Sequence, residues 1–168
     1  MTALPLAEWR DFYVMIGTAA GAIVGATFIV ATLASEVEQR SVGMRGFITP
    51  IAVYQGSVLV GSAILMVPTL TPGAFVILLG SGGIAGAIYG VIVATRIWRL
   101  RLDLDDRIFY VFLPILSYLA ISASALMVLR NGLPSLEMLA AALVILLVIG
   151  MRNAWDMATF MIMRNREQ

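Results

Sequence analysis

Glu137, Arg152, Asn153 and Asp156 are the side chains best placed to do chemistry in this sequence, because they sit in or beside an otherwise apolar run. Glu137 and Arg152 bracket fourteen uncharged residues, which as helix cover ~21 Å and fall short of ~30 Å of hydrocarbon. One or both charges must therefore lie near the edge of the apolar slab. The helical pattern continues through Asn153, Ala154, Trp155 and Asp156 to the apolar stretch Met157–Met163, placing Arg152 and Asp156 at i, i+4. Two readings stand. A charge within a span marks a functional polar cluster facing a bundle interior or a subunit interface. Alternatively, Arg152 snorkels to the headgroups, Trp155 joins the aromatic belt, and residues 157–163 lie along the surface.

Tyr54, Gln55 and Tyr118 form a second candidate group, several turns from the nearest arginines and so deeper than an ordinary aromatic belt. The tyrosine hydroxyls need partners. Backbone carbonyls freed by Pro50 and Pro114 are one source, and a polar pocket that includes Gln55 is the other. Three carboxylates in the connection 99–107, Asp103, Asp105 and Asp106, have the oxygen chemistry for a divalent cation. Pairing of Arg99 with Asp103 and Arg101 with Asp105 at i, i+4 explains that pattern with fewer assumptions. Trp9, Trp98, Tyr13 and Tyr110 lie near span ends and read as interfacial aromatics.

The 168 residues contain no histidine and no cysteine, which removes imidazole and thiolate catalysis, disulfides and the usual zinc and haem ligands. The sequence shows no catalytic constellation, so it is read as non-enzymatic, with no metal and no cofactor. All eleven basic residues are arginine, and no connection carries the dense basic stretch a nucleic-acid partner requires.

These side chains must be positioned by membrane helices. The composition is 61% apolar with mean hydropathy +0.96, and fifty residues between Arg45 and Arg96 carry no charge. Spans are predicted at 12–34, 47–68, 74–95, 108–129 and 134–163, each a long apolar run without the alternation of a barrel strand. The fold class is therefore an all-α integral membrane protein, residues 1–168 forming one membrane domain. The acidic start at Glu8 and Asp11 is unlike a cleaved signal, so the first span is expected to be retained.

The second pair of spans resembles the first. Gly17–Gly25 matches Gly82–Gly90 at six of nine positions, Pro50 and Tyr54 recur as Pro114 and Tyr118, and Ser62 recurs as Ser124. Matches in this order point to a duplicated two-helix hairpin, 12–68 and 74–129, with 134–163 as an extra helix. Gln55 has no polar counterpart, because Leu119 takes its place. Gly17, Gly21 and Gly25, and likewise Gly82, Gly86 and Gly90, recur every four residues and are expected to form close helix-packing faces. Spans one and three could meet through them about a pseudo-twofold axis.

Arginines divide eight to two across the connections, which places the N-terminus outside and the C-terminus in the cytoplasm. The segment Trp9-Arg10-Asp11-Phe12-Tyr13 and the segment Arg152-Asn153-Ala154-Trp155-Asp156 resemble those of small, uncharacterised bacterial multi-span membrane proteins. That resemblance implies a bacterial inner membrane and no activity. The functional expectation is a homo-oligomeric membrane protein, channel or transport-type, with a polar site on the fifth helix. Its alternative is a non-transporting scaffold that binds lipid, itself or another membrane protein.

Overall fold

The computed structural model describes residues 6–37, 42–97, 107–130 and 135–165, and every regular element among them is helical. Helix α1 is Arg10–Val37, α2 is Val42–Leu65 and α3 is Pro72–Ile97. Helix α4, Leu113–Leu129, is entered through a π-helical turn, Ile108–Phe112, and α5 is Ser135–Asn165. Four helical segments are long and apolar enough to cross a membrane, Arg10–Ile29, Pro72–Arg96, Ile108–Leu129 and Ser135–Asp156, and Thr49–Leu65 is a shorter apolar helix. The molecule is an all-α membrane protein.

Local chemistry fixes the boundaries. Pro68 offers no N–H and disfavours helical backbone at Val67, so α2 ends just before it. Thr71 caps α3, its Oγ1 accepting the Ala74 N–H at 3.2 Å, and Pro72 occupies the first helical position. Before Pro114 the helix widens, with the Leu113 N–H donating five residues back to the Ile108 carbonyl. The wider turn makes room where a proline ring would strike the carbonyl four residues earlier. Hydroxyls within the spans turn back on their own helices. Thr27 donates to the Ile23 carbonyl at 2.7 Å and Ser117 to Leu113 at 2.9 Å, so these two donors are not left to hydrocarbon.

Helix α1 packs along α2 and α3 packs along α4, giving two antiparallel hairpins. Helix α5 lies against α1, α2 and α4, while α2 and α3 touch only briefly. One core joins all five helices, with Tyr13 and Ile16 from α1, Tyr54 and Val58 from α2, Phe75 and Leu79 from α3, Tyr118 from α4, and Leu139, Leu143 and Leu146 from α5. Large apolar side chains such as Phe28, Ile77, Leu116 and Leu126 are exposed on the outside, where hydrocarbon is the solvent.

The expected meeting of spans one and three through their glycines is corrected. The principal packing of α1 and of α3 is within its own hairpin. A Cβ on Gly17 would lie 2.9 Å from the Ser62 Cβ, and one on Gly21 would lie 3.8 Å from Leu59 Cδ1, both on α2. On α3, a Cβ at Gly86 would fall within the Tyr118 ring and one at Gly90 would lie 2.7 Å from Ile115 Cγ1, both on α4. Gly25 and Gly82 meet nothing within 4 Å. The reason is angular: a step of four residues advances ~40° around a helix, so a third glycine in such a series is rotated ~80° from the first. Gly83 takes the place expected of Gly82, with the Tyr118 carbonyl 2.7 Å from its virtual Cβ.

Gly86→Leu should lower stability in detergent by about 3 kcal/mol or more, or prevent folding, because Tyr118 cannot yield inside the seam. Gly25→Leu should leave the thermal midpoint nearly unchanged. Equal effects of the two substitutions would refute this seam.

Candidate functional site

One buried polar group is a tyrosine cluster where the hairpins meet. Tyr54 and Tyr118 are both fully buried, their ring centroids 6.2 Å apart, and Tyr89 stands edge-on to Tyr54 at 6.5 Å. Ser57 Oγ donates to the Val53 carbonyl at 2.8 Å, so its one hydrogen is spent and the Tyr118 hydroxyl must donate to Ser57, also at 2.8 Å. This bond crosses from the second hairpin to the first. The Tyr54 hydroxyl crosses the other way and donates to the Tyr110 carbonyl over a longer 3.4 Å. In an unbroken helix that carbonyl would serve residue 114, where proline has no N–H. Tyr54 and Tyr118, matched in the sequence, thus find different partners, and Gln55 is bonded to neither.

Gln55 belongs to a second group, on α5. Its Nε2 donates to the Leu147 carbonyl at 3.1 Å, and the amide fills the notch at Gly150, where any Cβ would collide with it. Asn153 lies three residues beyond Gly150 and continues the buried row Leu139, Leu143, Leu146 and Ile149 along one face of α5. Gln55 Oε1 and both amide atoms of Asn153 are buried without a hydrogen-bond partner, as are the hydroxyls of Tyr13 and Ser62. Unpaired polar atoms in a low-dielectric interior cost free energy.

Arg152 projects sideways from this row. Its guanidinium carbon lies 3.6 Å from the centre of the Phe109 ring on the π-helical turn, and its Nε is 3.8 Å from Asp156 Oδ2. The pair is partly open, with side-chain exposures of 33% and 45%, so the ring contact holds Arg152 more firmly than the long ion pair does. Trp155 is exposed. Helix α5 continues unbroken past Asp156 to Asn165. Glu137 lies in the first turn of α5, ~22 Å along the axis from Arg152, where a carboxylate complements the helix dipole. The structure therefore separates Glu137 from Arg152, Asn153 and Asp156.

Tyr13 corrects the expectation of an interfacial aromatic, since it is fully buried beside Trp9 and Phe12 at centroid distances of 6.2 and 5.3 Å. Tyr110 is likewise buried rather than at the surface. Trp98 and the charge pairs proposed for Arg99, Asp103, Arg101 and Asp105 lie outside the described residues. Ser57, Gly83, Phe109 and Gly150 were not singled out in the sequence. Gly150 had a signal, as the one glycine in the apolar run between Glu137 and Arg152; Ser57 and Phe109 had none, because their roles depend on partners more than forty residues away.

Among the described residues no group of three histidine, cysteine, aspartate or glutamate side chains could hold a metal ion. What the two clusters do is tie helices together. No family model, curated protein or solved structure matches the chain, so the geometry alone carries the functional reading.

Gly150→Ala should destabilise the protein by about 1–3 kcal/mol by forcing the Gln55 amide out of its notch. In a Gln55→Ala background the same change should cost markedly less. Equal costs in both backgrounds, measured by unfolding in detergent, would show that Gln55 and Gly150 are not coupled.

Proposed function

We propose that the protein is a non-transporting membrane scaffold: a five-span bundle that presents the outer faces of its helices to lipid, to a second copy or to another integral protein. The observation that carries this reading is the 2.8 Å bond between Ser57 and Tyr118. A conduction path needs polar side chains facing an open lumen. Here the deep hydroxyls of Ser57, Tyr118 and Tyr54 and the amide nitrogen of Gln55 are engaged by neighbouring helices of the same chain, and polar residues used in this way act as glue between membrane helices.

The duplicated hairpin fits the scaffold reading. Each hairpin places a glycine against a serine across its seam, Gly17 against Ser62 and Gly83 against Ser122. The sequence repeat supports two copies of one unit, with α5 as the added element that joins them, although the two glycine–serine pairs fall at different positions of the repeat. The arginine asymmetry supports an external N-terminus and a cytoplasmic C-terminus.

The homo-oligomeric channel reading rests on the partial exposure of Arg152 and Asp156. It draws less support, because the seam glycines are occupied within the chain and Asn153 is buried in it. Arg152 on Phe109 instead resembles an anchor at the end of the bundle.

In liposomes, the purified protein should give no ion flux above protein-free vesicles, and Arg152→Gln with Asp156→Asn should change nothing. Flux that falls when Arg152 or Asp156 is neutralised would establish the channel instead. Single cysteines at Thr2, Ser41 and Gln168, in a chain with no native thiol, should label with impermeant maleimide from outside only at position 2. Labelling at position 41 from outside would invert the topology.

A further inference from the structure

Three polar atoms at the seam of α2 and α5 are enclosed without a hydrogen-bond partner among the described residues: Gln55 Oε1 and both amide atoms of Asn153. Neither residue exposes any surface. Gln55 cannot turn to pair its oxygen, because its Nε2 is held by the Leu147 carbonyl, which accepts only a donor, and its Cδ and Cγ sit in the Gly150 notch, 2.6 and 2.9 Å from where a Cβ would stand. Oε1 is therefore the free end of that amide.

Helix geometry brings the second amide close. Residues three apart on a helix have Cβ atoms about 5–6 Å apart, and Gln55 Cδ lies 2.6 Å from the Cβ position of Gly150, so Asn153 Cβ stands within about 9 Å of Gln55 Cδ. The two amide heads cover part of that distance but do not bond to each other. A direct bond closes only at ~3 Å, whereas one water between two polar atoms holds them ~4.5–5.5 Å apart.

We propose that one buried water molecule bridges Gln55 and Asn153 and joins α2 to α5. Its bonding capacity matches the three atoms. The water accepts from Asn153 Nδ2, donates one hydrogen to Oδ1 on the same edge of that amide, and donates the other to Gln55 Oε1; three bonds are the usual number for an internal water. Other occupants match less well. A cation would take the two oxygens but face the hydrogens of Nδ2, and the carboxylate one turn on, Asp156, is turned to Arg152. An anion would meet a single donor group, and an apolar ligand would satisfy none of the three atoms. Room comes from Asn153 itself, which is shorter than the leucines and isoleucine ahead of it in the buried row, where a water takes about 30 Å³. The bridge makes Asn153 a positioning residue of the seam, and it holds whether or not the bundle conducts ions.

The test is cross-relaxation between water and the Asn153 side-chain amide, by NMR on the full-length, isotope-labelled protein in phosphatidylcholine nanodiscs. The chain has three asparagines, and the signal of Asn153 is the one lost in Asn153→Leu. That signal should show a water cross-peak with NOE and ROE of opposite sign, the mark of a water that tumbles with the protein. Gln55→Met removes one of the three bonds, and the cross-peak should be lost. Tyr54→Phe removes the exchangeable hydroxyl of the adjacent residue, and the cross-peak should persist.

No cross-peak in the unaltered protein would overturn the proposal in favour of direct amide pairing. A peak of equal strength in Gln55→Met would show that the water does not bridge the helices, and a peak lost in Tyr54→Phe would trace it to the hydroxyl; either result overturns the proposal. Replacing N-methylglucamine chloride by sodium chloride at equal ionic strength should leave the thermal midpoint unchanged. A rise with sodium that disappears in Gln55→Met would assign the site to a cation instead.

Discussion

The space left by the missing side chain of Gly86 is occupied by the ring of Tyr118, and most of the bundle follows from that contact. Hydrocarbon gives two apolar helices little reason to meet, so association depends on how closely their backbones can approach and on polar groups that find partners only across the seam. With the Tyr118 ring seated on α3, its hydroxyl reaches Ser57 on α2. One side chain thus closes the second hairpin and ties it to the first. The Tyr54 ring stacks beside it and sends its own hydroxyl to the Tyr110 carbonyl, at the turn that Pro114 disrupts.

Helix α5 breaks the likeness between the two hairpins, and the residues that differ between them record where it sits. Gln55 on α2 enters the Gly150 notch of α5, whereas its counterpart Leu119 on α4 is exposed on the outer face. The buried row of α5 is leucine and isoleucine until Asn153. Asn153 ends that row with both amide atoms buried and without a hydrogen-bond partner. Arg152 over Phe109 adds a clamp near the same end, on the segment that leads into α4.

Much of this was legible in the sequence. Long apolar runs locate spans because hydrocarbon thickness sets their length, and the described helices overlap all five predicted segments. The proline argument foresaw that a freed carbonyl would take a tyrosine hydroxyl, which is the Tyr54–Tyr110 bond, although Tyr118 went to Ser57. The failures share a cause. Reading glycines at a strict period of four selected Gly82 over Gly83, because the 40° drift per step is invisible until a partner helix shows which face is used. Tyr13 sits at a span start, the usual place for a belt residue, and is buried in the core that α1 shares with α2 and α5. Contacts between segments over a hundred residues apart leave no local trace.

The most direct test is a double-mutant cycle of Ser57→Ala and Tyr118→Phe, followed by reversible unfolding in mixed micelles. If the hydroxyl pair ties the two hairpins, each single change destabilises the protein, the second change costs little once the first is made, and the coupling is about 1 kcal/mol. Strict additivity, with each hydroxyl removed at the same cost whether or not the other is present, would contradict the account.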